Sequence, residues 1–138
     1  MYRPITDEMY LDFTHSRHFF QFGIMILSET HRNPLDYNDY GCHCGANRYS
    51  IQQEPLDDVD KCCQQHDLCY KQCTNVQIPQ PSRYVYKATV VLNDIVCKDD
   101  QNTCGYKICM CDKQAAECFG KSKYNAEYKN YDIKKCTP

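Results

Sequence analysis

Apolar and polar positions recur with a helical period in three parts of the chain. In residues 19–28, Phe19, Phe22 and Ile26 form one stripe, and Phe20, Gly23 and Leu27 form a second. This spacing predicts an amphipathic helix, ended by Asn33-Pro34. The stripes fit a core face and an interfacial face equally well. Leu56 to about Cys73 predicts a second helix, with Asp57 and Asp58 suited to the positive end of its dipole. Cys104 to Phe119 predicts a third, ending at Gly120, although Gly105 suits a helix interior poorly. Between these two helices, Arg83–Thr89 and Val90–Val96 read as extended pieces with Asn93-Asp94 as their turn. Tyr40 to Pro55 reads as a loop. Residues 1–18 are polar and read as an N-terminal extension ahead of a single domain, 19–138.

The cysteines sharpen this picture. Twelve of 138 residues are cysteine, which suits a disulfide scaffold in an oxidising, extracellular compartment. Cys42-x-Cys44 and the adjacent Cys62-Cys63 do not fit zinc-knuckle spacing. On the second predicted helix Cys62, His66, Cys69 and Cys73 lie on one stripe; on the third, Cys104, Ile108, Cys111, Ala115 and Cys118 do the same. Residues that face each other on antiparallel helices share a residue-number sum. Cys62 with Cys118 and Cys69 with Cys111 both sum to 180, so two bridges can hold the helices side by side. Cys73 with Cys104 fits this register less well. The same register points His66 at residue 114, with Asp112 about half a turn away.

Charge and targeting signals remove several classes. The net charge of −2 argues against nucleic acid as a main partner. No run is long enough to span a membrane, and no N-x-[ST] acceptor occurs. The apolar stretch from Phe19 to Leu27 follows Asp7, Glu8 and Asp12 and is not followed by a small-residue cleavage site, so the chain is expected to be in its mature form.

The candidate chemistry is concentrated in Cys62-Cys63-Gln64-Gln65-His66-Asp67-Leu68-Cys69-Tyr70 and in the turn Tyr40-Gly41-Cys42-His43-Cys44-Gly45. A carboxylate that accepts from one imidazole nitrogen leaves the other to take a proton from water; Asp112 is suited to do this for His66. Asp67 points about 100° away from His66 on the helix and suits a hard cation such as Ca2+, with carbonyls near Tyr40–Asn47 as further ligands. A cation there favours ester hydrolysis by stabilising an oxyanion. Tyr70, one turn on from His66, is suited either to the core or to a hydrogen bond with a carboxylate. Taken singly, His66 also reads as a core histidine, Asp67 as a solvated helix residue and Asp112 as a local structural residue. His15, His18 and His31 read as surface residues.

YGCHCG at 40–45, PLDDVDKCCQQHDLCY at 55–70 and CGYKICMCDKQAAECF at 104–119 resemble the secreted phospholipases A2, together with QFGIMI at 21–26 and Tyr124-Asn125. The resemblance spans roughly residues 19–136. It implies a mainly α, disulfide-rich fold: two long antiparallel disulfide-linked helices, an N-terminal helix, a calcium loop and a small two-stranded β-wing. It implies six bridges: Cys42–Cys136, Cys44–Cys63, Cys62–Cys118, Cys69–Cys111, Cys73–Cys104 and Cys97–Cys109. It implies that His66 is the general base for water attack on the sn-2 ester of a phospholipid, that Asp112 orients it, and that Tyr70 and either Tyr84 or Tyr86 hydrogen-bond Asp112. Asp67 and the carbonyls of His43, Gly45 and Asn47 would bind Ca2+, and the Gly45 N–H would help bind the oxyanion. Phe22 and Ile26 would line an apolar channel, and the partner would be a membrane surface or micelle.

The chain departs from the family pattern in its loop. Ala46-Asn47-Arg48-Tyr49-Ser50 stands where the family is glycine-rich, and three extra residues precede Pro55. His43 replaces the usual aromatic residue, and Cys73 comes early, which predicts a short second helix. The altered loop sustains an alternative: a weakly catalytic or inactive binding protein on the same scaffold, acting as a receptor ligand, toxin-like subunit or matrix component.

Overall fold

The computed structural model describes residues 11–12, 18–45, 48, 52–73 and 86–138. Among them are helices α1 (His18–Thr30), α2 (Asp58–Tyr70) and α3 (Cys104–Lys121), and strands β1 (Leu11–Asp12), β2 (Ala88–Val91) and β3 (Asp94–Cys97). Short 3-10 turns cover Pro34–Tyr37, Ala126–Tyr128 and Ile133–Lys135.

Each helix end has a local cause. The Asp57 side chain caps α2 by accepting from the Asp60 N–H at 2.9 Å, and Asp58 and Asp60 fill the first turn. Thr103 caps α3 by accepting from the Tyr106 N–H at 3.2 Å. α1 stops where His31 turns left-handed, at φ 57°, and its N–H reaches back to the Leu27 carbonyl at 2.9 Å. α2 ends at Tyr70, short of the predicted Cys73, in keeping with the expected short helix. α3 runs through Gly120 to Lys121 rather than stopping there. The reason is contact: a Cβ at Gly120 would lie 3.0 Å from the Glu29 carbonyl, so this glycine lets the end of α1 approach α3.

All six implied disulfides are present. Cys62–Cys118 and Cys69–Cys111 join α2 to α3 with Cα separations of 5.8 and 5.7 Å, as the shared residue-number sum requires. Such bridges are worth roughly 2–4 kcal/mol each. α3 lies between α2 and α1, and the core is filled by Met25, Ile26, Val59, Tyr86, Ile108 and Phe119. Tyr37 stacks on Phe119 at 4.3 Å between centroids. The two stripes of α1 divide accordingly: Ile26 and Phe22 face inward, while Phe20 (55 % exposed) and Leu27 face outward.

The β-wing holds one strand more than predicted. β2 and β3 form the expected antiparallel pair, Ala88 opposite Cys97 and Val91 opposite Asp94, and β1 from the N-terminal extension pairs with the other edge of β2, Leu11 opposite Val90. β2 is thereby central, and its outer edge is no longer open. Cys97–Cys109 fastens β3 to α3. The hairpin turn falls on Leu92-Asn93, one residue earlier than predicted, with both residues at positive φ (52° and 67°). Such turns favour Asn and Gly, and an exposed leucine there is strained. Leu92→Gly is therefore expected to stabilise the protein by about 1 kcal/mol. A melting temperature that stays the same or falls would contradict this reading of the turn.

Candidate active site

α2 and α3 bring His66 and Asp112 together from positions 46 residues apart, with His66 Nε2 at 2.7 Å from Asp112 Oδ1. An ionised carboxylate only accepts, so Nε2 carries the proton and Nδ1 holds the free lone pair. Asp112 is fully buried and is held by two further donors. The Tyr70 hydroxyl donates to Oδ1 at 2.5 Å, and the Tyr86 hydroxyl donates to Oδ2 at 2.7 Å. Burial, reinforced by the Asp112 charge, pushes both phenols well above the ordinary tyrosine range, so they remain donors. Tyr84, the other residue expected at this position, lies outside the described residues.

α1 completes the walls. The Phe22 ring stacks on His66 at 4.5 Å between centroids and 16° between planes, and the Tyr70 ring lies tilted against the same imidazole at 4.3 Å between centroids. Buried Gln21 donates from Nε2 to the Tyr86 carbonyl at 2.6 Å, tying α1 to the segment that enters the wing. Sequence periodicity marked Phe22 as a stripe residue but did not reveal this stacking on His66.

The turn at 40–45 is built on a second buried carboxylate. Asp60 accepts from the N–H groups of Cys42 (2.9 Å), His43 (2.8 Å) and Leu56 (2.8 Å). Gly41 is required beside it: its φ is +59°, and a Cβ would lie 2.5 Å from the Asp60 carboxyl carbon. Gly45 is required too, at φ +127° with a would-be Cβ 2.9 Å from the Asp39 nitrogen. Tyr40 and Cys44 exchange backbone hydrogen bonds at 3.0 and 3.1 Å, closing the turn. The Tyr40 hydroxyl donates to Asp57 at 2.5 Å and accepts from the Asn125 N–H at 3.1 Å. The His43 ring is buried and donates from Nε2 to the Gln53 carbonyl at 2.8 Å.

Asp67 differs from these satisfied carboxylates. Among the described residues its Oδ2 is buried and has no hydrogen-bond partner. Burial pushes its carboxyl up to about 7, opposed by the neighbouring His66. A buried carboxylate oxygen without a donor is costly unless a cation completes it, so Asp67 fits a hard metal ion. His43 and Gly45 lie on the glycine-bearing turn held by Asp60, about two helical turns before Asp67 on α2. The Gly45 carbonyl already accepts from the Arg48 N–H at 3.1 Å and retains a second lone pair. Asn47 lies outside the described residues.

A histidine polarised by a buried carboxylate, beside a second carboxylate with one oxygen unpartnered among the described residues and inside a disulfide frame, is the equipment of a hydrolase that activates water. Residues 19–129 match the family model described as "Phospholipase A2". A "Phospholipase A2" of Bos taurus is 41 % identical over 128 residues, covering 88 % of this chain and 86 % of the relative. A "Phospholipase A2" of Calliactis polypus is 40 % identical over 126 residues, covering 88 % and 76 %. "Acidic phospholipase A2 PLA-1" of Eristicophis macmahoni is 41 % identical over 121 residues, covering 86 % and 94 %. The chain belongs to the phospholipase A2 family, and it is a lipid-degrading hydrolase of that class.

Proposed function

We propose that this phospholipase A2 is a secreted, Ca2+-dependent enzyme that hydrolyses the sn-2 ester of glycerophospholipids to a lysophospholipid and a free fatty acid. His66 Nδ1 takes a proton from water as the water oxygen bonds to the ester carbonyl carbon. The proton then passes to the departing alkoxide. Asp112, held by Tyr70 and Tyr86, fixes the tautomer and steadies the imidazolium as it forms. Asp67 and the carbonyls of His43, Gly45 and Asn47 would hold Ca2+, which when bound supplies positive charge for the developing oxyanion. The Gly45 N–H is the backbone donor for the same oxygen. Phe22 excludes water from one face of His66.

The observation that carries the metal reading is the buried Oδ2 of Asp67, which has no hydrogen-bond partner among the described residues. A phospholipid surface as partner is supported by the outward apolar residues Phe20 and Leu27 on one face of α1 and by Leu35, 67 % exposed, in the turn that follows. None of the helices among the described residues is long and apolar enough to cross a membrane. Six disulfides support an extracellular location.

The test is fatty-acid release from mixed phospholipid vesicles in millimolar Ca2+ and in excess chelator, on the parent and on Asp67→Asn. The parent is expected to be active only with Ca2+, and Asp67→Asn is expected to be inactive in both conditions. Release that survives chelation would remove the metal from the reaction. A parent silent in both conditions would favour a non-catalytic role on this scaffold.

A further inference from the structure

We propose that Arg48 is a positioning residue that fastens the Ca2+ loop to the C-terminal segment. The inference rests on the reading of that loop as the metal site. Arg48 falls within the stretch 46–50 that replaces the family's glycines. Its Nη1 donates to the Gly41 carbonyl at 2.9 Å and to the Tyr131 carbonyl at 2.7 Å. Its Nε lies 3.7 Å from Asp39 Oδ1, and the side chain is only 11 % exposed. A guanidinium this buried is stable only where carbonyls and a counter-charge receive it, and the two accepting carbonyls and the Asp39 carboxylate that pairs with it lie where two segments cross.

Those segments are already joined by backbone. The Gly41 N–H donates to Tyr128 at 2.9 Å, and the Asn130 N–H donates to Asp39 at 2.6 Å. Arg48 adds a side-chain bridge over this crossing, while its own N–H holds the Gly45 carbonyl at 3.1 Å. A loop with fewer glycines has fewer ways to adjust around an ion. It gains most by being ordered before the ion arrives, because ordering then is not charged against binding. Arg48 supplies that order from within the altered stretch. Lysine is a poor replacement, since one flexible ammonium must span what a rigid planar fork spans.

The experiment compares the parent, Arg48→Ala and Arg48→Lys by two readouts. One is amide hydrogen exchange at 42–45 and 128–131 in chelator; the other is Ca2+ affinity by calorimetry. In chelator, Arg48→Ala is expected to exchange faster at both segments with α2 and α3 unchanged. It is expected to bind Ca2+ at least about tenfold more weakly. Arg48→Lys should fall between the parent and Arg48→Ala in both readouts. Parental exchange and parental affinity in Arg48→Ala would overturn the proposal. Should Arg48→Ala fail to fold, Arg48→Lys decides alone: parental values in it overturn the proposal, and weakened affinity with faster exchange supports it. A parent that binds no Ca2+ sinks the metal reading instead. The exchange comparison then still decides the fastening, since unchanged exchange in Arg48→Ala overturns that part by itself.

Discussion

His66→Gln is expected to lower phospholipid hydrolysis by roughly 10²–10⁴-fold, the range a positioned general base supplies. The fold should survive the change. A glutamine amide can still donate towards Asp112, and Asp112 keeps Tyr70 and Tyr86 as donors whatever stands at residue 66. What glutamine cannot do is accept a proton near neutral pH. The substitution therefore separates catalysis from architecture. Tyr86→Phe provides the scale: it removes one donor to Asp112 while leaving His66 and Tyr70 in place, so its effect should be much smaller. The measurement is initial-rate fatty-acid release alongside a melting curve for each variant. Substantial activity in a folded His66→Gln protein would take His66 out of the reaction.

Asp60→Ala is expected to be the most damaging substitution for stability, costing roughly 3 kcal/mol or more. It leaves three backbone N–H groups, those of Cys42, His43 and Leu56, facing a space without an acceptor. Asp60→Asn should recover little, because its amide group turns one donor against these donors. Denaturant unfolding under non-reducing conditions checks this, with the midpoint expected to fall while the disulfides stay intact. A midpoint near the parent's would mean that water replaces the carboxylate and that Asp60 does not hold the turn. Because Gly41 approaches this carboxylate so closely, the damage should be felt first at the turn at 40–45 rather than in α3.

The paired helices were legible because their evidence is local. Cysteines seven residues apart lie on one helix face, so Cys62 with Cys69 and Cys111 with Cys118 fixed both the pairing and the register. The register in turn predicted that Asp112 approaches His66, and the two lie in hydrogen-bond contact. Less was legible where a residue acts on backbone far away. Asp60 is one more acid in the first turn of α2, and nothing in the composition of 57–60 distinguishes it from Asp58. Its role depends on a turn 17 and 18 residues earlier folding onto it. Arg48 likewise gave no signal, because its acceptors are main-chain carbonyls, which any sequence provides. β1 is too short for periodicity to register, and its pairing with β2 is non-local. The hairpin turn was misplaced by one residue because Asn-Asp is the better turn sequence on propensity, and the β2–β3 register overrode it. Gly120 read as a helix stop, when its lack of a side chain serves packing against Glu29.

The disulfides also define a covalent graph. From Cys42 to Cys136 every point of the chain is enclosed by at least one bridge, since Cys42–Cys136 spans 94 residues and the other five lie inside it. One backbone cut anywhere in that interval leaves a single molecule. α1 lies outside the cage, with no cysteine before Cys42 to anchor it. The helix that carries Phe22 and Gln21 to the pair His66–Asp112 is thus held by non-covalent contacts and by one chain connection to the cage. The half of the site that bears His66 and Asp112 is locked by topology, and the half that shields it is attached like a hinged panel.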